Sequence, residues 1–238
     1  MPPASARFYE RAKAFFTRFI LPSACLLCGT RTTKTLCLLC RQDLPILPYH
    51  CPQCAHILYN SNDYCGRCMH HSPPFDRSFA LFPYEAPIVQ FIIQLKFCAN
   101  LPVARLFSEL LLERITTAWY KSSPLPDLIL PIPLHRQRLS ERGFNQALEI
   151  AKPIAKKLKL PIDSGIKRIK PTAAQSGLSA TGRKRNIKSA FKSTRDYRGQ
   201  TIALIDDVVT TGSTVTECSK LLKQRGANAI HVWCVARA

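Results

Sequence analysis

A mainly parallel α/β domain preceded by a small cysteine-rich module is the fold class this sequence predicts, and three observations carry it. Short apolar runs of strand character alternate with segments of helical periodicity from about residue 78 onward. Four identical Cys-x-x-Cys knuckles fall between residues 25 and 68. One apolar run, Ile202-Ala-Leu-Ile205, passes directly into Asp206-Asp207 and then into a Thr-Thr-Gly-Ser-Thr loop.

The alternation is read element by element. Residues 78–84 form a strand, and Pro87 opens a helix in which Ile88, Phe91, Ile92 and Leu95 share a face, with Lys96 following directly. A second amphipathic helix runs from about Val103 to Trp119 and is broken by the Ser122–Pro126 stretch. A short apolar strand, Asp127–Pro133, leads through a polar loop to a helix from about Asn145 to Lys159. Residues 169–186 are poor in large apolar side chains and rich in Thr, Ser, Gly and basic residues, the composition of a mobile loop. The strand at 202–205, its helix as far as Gly226, and a last strand from Ala229 to Val235 close the domain. Strands alternating with helices imply parallel pairing, with ligands bound at the carboxyl ends of the strands.

The cysteines set the second element of the fold class. Knuckles at Cys25/Cys28, Cys37/Cys40, Cys51/Cys54 and Cys65/Cys68 each aim two thiolates at one tetrahedral ion, so eight cysteines suit two structural Zn²⁺ ions. Sequential pairing assigns the first four to one ion and the last four to the other; a cross-braced pairing is the alternative, and disulfides are the competing chemistry. With every ligand position taken by thiolate, no position remains for a catalytic water. The nearby His50, His56, His70 and His71 read as solvated loop residues, and Cys98, Cys218 and Cys234 as core thiols.

Charge is concentrated. The 238 residues carry 34 Lys and Arg against 15 Asp and Glu, a formal net charge of +19. Residues 135–198 hold 17 of the basic residues against four acidic ones, a local excess of +13. Such a field suits a polyanion, and the candidates are pyrophosphate, nucleic acid or an anionic membrane surface. No apolar run reaches the roughly 18 to 20 residues of a membrane span. The first twenty residues place Phe8, Phe15, Phe16 and Phe19 near one side of a basic amphipathic helix, without the uninterrupted apolar stretch of a signal peptide. A cytoplasmic protein is expected. Its predicted organisation is an N-terminal amphipathic helix at 1–22, a double zinc ribbon at 23–72, and an α/β domain at 73–238.

The strand-to-helix turn has a chemical use. Main-chain N–H groups of residues 211–214 at a helix start make a site for phosphate, the hydroxyls add donors without bulk, and Gly212 permits close approach. Asp206 and Asp207 stand where they can accept hydrogen bonds from vicinal hydroxyls, so a phosphorylated ribose fits the pair and the loop together. A purely structural turn and an Mg²⁺ site of another α/β class stay open on the residues alone.

Residues 202–214 closely resemble the phosphoribosyl-pyrophosphate (PRPP) signature of type I phosphoribosyltransferases. The resemblance implies that Asp206 and Asp207 hold the ribose hydroxyls, that Thr210, Thr211, Gly212, Ser213 and Thr214 bind the 5′-phosphate, and that Val208 and Val209 belong to the same PRPP-binding segment. Nearly the whole chain is similar to the ComF family of bacterial proteins, linked to natural competence and the use of external DNA. The similarity takes in the cysteine ribbons, Gln94-Leu-Lys-Phe97, Pro131-Ile-Pro-Leu-His135 with Arg138, Arg142-Gly-Phe-Asn-Gln146, Arg168, Thr172, Gln175, Leu178, Arg183, Asn186 and Ala190-Phe191.

By analogy with type I transferases, Leu134, His135, Arg136 and Arg138 would contact pyrophosphate, and residues 168–186 would close over it. Lys96, with Asp206 and Asp207, is placed at the reacting centre, while Arg136, Arg138, Arg142 and Arg183 contribute positive charge and Mg²⁺ arrives with PRPP. Two readings follow. One is an enzyme transferring the phosphoribosyl group to a nitrogen nucleophile. The other is a non-catalytic PRPP sensor or single-stranded-DNA-binding adaptor that works with helicase and uptake proteins of the competence machinery.

Overall fold

The computed structural model describes residues 23–60, 63–171 and 187–238. The expected N-terminal amphipathic helix and most of the expected mobile loop, Arg183 included, lie outside the described residues. Two compact units divide the chain, one ending at Leu44 and the other running Pro45–Ala238.

The first unit is a ribbon. Strands β1 (Ser23–Ala24) and β2 (Arg31–Thr32) pair antiparallel, and a one-turn helix, α1 (Leu38–Gln42), follows. The Cys37 thiol caps α1 by accepting from the Cys40 N–H, so the knuckle and the cap are one device.

The second unit opens with its own pair of knuckles and the one-turn helix α2 (Gly66–His70). Then come β3 (Arg77–Pro83), α3 (Ile88–Phe97) and α4 (Leu101–Arg114). The long helix expected as far as Trp119 gives way after Arg114 to a π-helical turn, Ile115–Trp119, in which the Tyr120 N–H reaches back to the Ile115 carbonyl. Next in order are β4 (Leu128–Pro131), α5 (Arg136–Arg142), α6 (Gln146–Leu158), β5 (Lys167–Arg168), β6 (Phe191–Lys192), β7 (Thr201–Val209), α7 (Ser213–Gln224) and β8 (Ala229–Arg237).

The main sheet has the order β3-β8-β7-β4 with every pairing parallel, as the alternation predicts. Its central strand β7 is fully buried from Ile202 to Ile205, and each of those Ile and Leu side chains contributes about 1.5–3 kcal/mol by leaving water. The strand runs further than the apolar run did. It continues through Asp206 and Asp207 to Val209 because β8 keeps pairing with it, Asp206 opposite Cys234 and Val208 opposite Ala236. Sheet pairing here overrides the poor strand preference of aspartate.

Helices α4 and α6 pack side by side, tied by Ser108, whose hydroxyl donates to the Ile150 carbonyl at 2.8 Å. At the amino-terminal end of the sheet, Tyr120 donates to or accepts from His231 Nδ1 at 2.6 Å and accepts from Trp233 Nε1 at 3.1 Å. This gives a buried indole and phenol their polar partners. Cys218 and Cys234 are core thiols as expected, whereas Cys98 is exposed, since it caps the end of α3 instead of facing the core. Among the described residues no helix is long and apolar enough to cross a membrane.

Candidate functional site

The carboxyl ends of β3, β4 and β7 meet in a cavity of about 410 Å³, within the range of small-ligand sites. Residues 206–214 all line it, joined by Lys96, Leu134, His135, Arg138 and Arg142. Arg136 is not among the lining residues. It starts α5 and is exposed, because the seven-residue helix α5, set in what reads as a polar loop, turns successive basic residues to different sides.

Local folding explains how the turn is built. Gly212 has φ +75° and is the N-cap of α7, a conformation that side-chain-bearing residues adopt only at a cost. The Thr211 hydroxyl lies 2.8 Å from that of Ser213 and accepts the Ser213 N–H at 3.3 Å. Helix α7 has twelve residues and no acidic residue in its first turn, so its positive end is left for an anion from outside.

The acidic pair divides its environment. Asp207 is 7% exposed, and its Oδ2 meets Lys96 Nζ at 2.7 Å. Asp206 Oδ1 accepts the Asp207 N–H at 3.0 Å, and Asp207 Oδ1 accepts that of Val208 at 2.8 Å. Burial raises the Asp206 carboxyl to about 7, the adjacent Asp207 charge adds to the rise, and Lys96 opposes it.

Arginines also line the cavity. Arg142 Nη1 donates to Gln146 Oε1 at 3.0 Å, and its guanidinium sits 5.7 Å from the centroid of the Phe97 ring. Asn145 caps α6 through the Ala147 N–H and donates to the Ile132 carbonyl at 2.9 Å, fixing the start of that helix beside β4. Arg168 enters the cavity because a bridge between His135 and Arg168 ties the two chain segments together.

The residue reading missed Tyr84 as a lining side chain. Tyr84 is 38% exposed and Phe97 72% exposed, and both face the same cavity. The position of Phe97 directly after Lys96 was the available signal; for Tyr84 there was none beyond its place at the end of a strand.

The eight cysteines form two groups, Cys25/Cys28/Cys37/Cys40 and Cys51/Cys54/Cys65/Cys68, with the sulfurs of each group all within 4.8 Å of one another. That grouping is the sequential one, not the cross-braced one, and neither group includes a histidine. Cys28 and Cys37 sulfurs are 3.8 Å apart and those of Cys54 and Cys65 3.6 Å apart. A tetrahedron with Zn–S bonds of about 2.3 Å has an edge of roughly 3.8 Å. The thiols alone are mismatched. In the second group burial pushes Cys51 up, but backbone N–H bonds from the Cys65 and Cys54 region outweigh it and bring it down to about 7, while burial and the neighbouring Cys54 push Cys68 up. Four such sulfurs become simultaneous thiolates only around a cation, and the donor set fits structural Zn²⁺.

Two arginines outside the cavity lining bind the second cysteine group to the acidic strand's loop. Arg67, between Cys65 and Cys68, donates through Nη1 to the Thr211 carbonyl at 3.0 Å. Arg237, 3% exposed, donates through Nε to the Cys54 carbonyl at 3.1 Å and through Nη1 to that of Val209 at 3.0 Å, with the carbonyls of Thr210 and Ala238 also in contact.

Comparison with known proteins agrees with this architecture. Residues 16–69 match the double zinc ribbon domain and residues 145–238 the phosphoribosyl transferase domain. The DNA utilization protein YhgH of Escherichia coli strain K12 is 39% identical over 217 residues, covering 90% of this chain and 89% of its own. Competence protein F of Haemophilus influenzae is 35% identical over 208 residues, covering 85% of this chain and 90% of its own. Among solved structures, adenine phosphoribosyltransferase from Leishmania donovani aligns at 17% identity over 66% of this chain and 70% of its own, with a TM-score of 0.38. With a zinc-ribbon pair in front of a phosphoribosyltransferase domain, and relatives alike over nearly their full length, the chain belongs to the ComF family.

Proposed function

We propose that the protein binds PRPP with Mg²⁺ in the cavity at the end of β7 and serves the handling or utilisation of DNA in the cytoplasm, as the names of its relatives suggest. The observation that carries the reading is the convergence of Asp206, Asp207, the 210–214 turn and a set of cations in one cavity. In this reading the two carboxylates accept hydrogen bonds from the ribose 2′- and 3′-hydroxyls. The turn, at the positive end of α7, takes the 5′-phosphate, and His135, Arg138, Arg142 and Arg168 face the pyrophosphate.

The chemistry such a site favours is displacement at the anomeric carbon. The bond from C1 to the pyrophosphate oxygen breaks, its electron pair leaves with pyrophosphate, and a nitrogen nucleophile forms the new bond and sheds its proton. Positive charge held in place lowers the barrier by meeting the negative charge that grows on the leaving group. Mg²⁺ bound with PRPP would add positive charge beside the leaving group. Lys96 holds Asp207 at 2.7 Å, so its ammonium is positioned beside the sugar-binding pair. Tyr84 and Phe97 at the cavity rim offer flat apolar surfaces to the acceptor.

Titration calorimetry with Mg²⁺ and PRPP tests the site. The wild type should bind, and the double substitution Asp206→Asn with Asp207→Asn should abolish the heat. Pyrophosphate release with a panel of nucleobases tests transfer. The exposed Phe97 and the +13 segment favour a second reading, in which the site senses PRPP while the surface holds single-stranded DNA by stacking and charge. PRPP binding with no pyrophosphate release from any acceptor would select it.

A further inference from the structure

We infer that the second cysteine centre is a strut for the phosphate-binding turn, with Arg67 as the positioning residue, so that metal held by Cys51, Cys54, Cys65 and Cys68 and PRPP held by residues 210–214 strengthen each other's binding. The inference rests on the PRPP reading of the cavity.

Three consecutive carbonyls at the end of β7 are held by two arginines, that of Val209 also accepting the Ala238 N–H at 3.1 Å. Arg237 takes those of Val209 and Thr210, and Arg67 takes that of Thr211. Both arginines trace back to the same centre: Arg67 is part of the Cys65–Cys68 knuckle, and Arg237 Nε is bound by the carbonyl of Cys54 in the other knuckle. In a trans peptide the C=O of one residue and the N–H of the next point in opposite directions within one plane. Fixing the carbonyls of 209, 210 and 211 on their donors therefore fixes the N–H groups of 210, 211 and 212, each pointing away from the guanidinium that holds the carbonyl before it. Those three residues line the cavity and the two arginines do not.

The contact is close. A Cβ added to Gly212 would meet Arg67 Nη2 at 3.5 Å, so the guanidinium lies against the outer side of the tight turn. Four thiolates around Zn²⁺ leave net negative charge at the centre, and Arg67, within the Cys65–Cys68 knuckle, and Arg237, on the Cys54 carbonyl, bring positive charge into its neighbourhood. Without the metal, the knuckle loses the source of its folding free energy, and the Thr211 carbonyl loses a fixed donor. Any ligand that needs the turn ordered then stabilises the metal-bound form, and reciprocity makes the metal raise affinity for the ligand by the same factor.

The test uses full-length, two-zinc protein. Calorimetry with Mg²⁺ and PRPP should show wild-type binding, a loss of about tenfold in affinity in Arg67→Ala, and a smaller loss in Arg67→Lys, which keeps one donor. Metal analysis should find zinc content unchanged in both variants; should Arg67→Ala lose zinc, Arg67→Lys carries the comparison. In a second arm, a chromogenic chelator strips zinc from the wild type, and PRPP should slow release of one ion per chain and leave the other unaffected. Arg67→Ala should abolish that protection. Wild-type protein that fails to bind PRPP sinks the reading of the cavity and this inference with it. Wild-type binding with unchanged affinity in both variants and no protection of zinc overturns the strut alone.

Discussion

Lys96 Nζ lies 2.7 Å from Asp207 Oδ2, so a cation from the end of α3 sits on the acidic pair at the end of β7. Lys96 also opposes the upward shift of Asp206. Lys96→Met should therefore drive the Asp206 titration above its value of about 7 in the wild type. Carboxyl ¹³C shifts followed against pH report this, and a downward movement contradicts it.

Asp206 also makes stability depend on pH. Its folded value of about 7 exceeds the ordinary 3.8. Between the two values the folded state holds a proton that the unfolded state has released, so stability falls as pH rises through this window and levels off above about 7. Asp206→Asn removes the fall. The melting temperature of the variant relative to wild type should climb from pH 5 to about 7.5 and then stay flat, as thermal denaturation at a series of pH values would show.

Arg237 is a buried charge serving four carbonyls. Arg237→Met keeps the apolar stem and removes the guanidinium from those acceptors, of which the Val209 carbonyl keeps the Ala238 N–H. A loss of about 3 kcal/mol or more is expected in urea denaturation. A loss within 1 kcal/mol would mean that water replaces the guanidinium.

The two cysteine centres should answer differently to single substitutions. Cys54→Ser and Cys28→Ser should each reduce bound zinc from two ions to one, read by atomic absorption. Cys54 belongs to the unit spanning Pro45–Ala238 and Cys28 to the unit ending at Leu44. Melting followed by Trp233, buried in β8, should shift downward for Cys54→Ser and stay near wild type for Cys28→Ser.

Binding of single-stranded DNA, if it uses the +13 segment of residues 135–198, should weaken steeply with salt. Each phosphate neutralised contributes a slope of about −0.7 in log K against log salt. Fluorescence anisotropy between 50 and 200 mM salt gives the slope, and a flat response excludes charge as the basis.

Much of this was legible from residues. The acidic pair, the glycine of the turn and the knuckles announce themselves because their chemistry needs neighbours close in sequence: a chelate needs two residues between sulfurs, and a phosphate loop needs a few consecutive amides. The parallel order of the sheet followed from the alternation of periods. What stayed hidden was long-range. Arg67 and Thr211 are 144 positions apart, and nothing in a lone arginine inside a zinc knuckle marks its acceptor. Tyr84 joined the cavity only because the parallel pairing of β3 with β8, and of β8 with β7, puts the carboxyl ends of all three at one edge of the sheet. The continuation of β7 through two aspartates needed the partner strand to be known.

Arg237 has a practical consequence for anyone who trims this chain. An expression clone beginning at residue 73, where composition suggests an independent α/β domain, would discard the Cys54 oxygen and the Arg67 guanidinium together. Such a fragment would report the behaviour of an unbraced loop, and a negative assay on it would say nothing about the intact molecule.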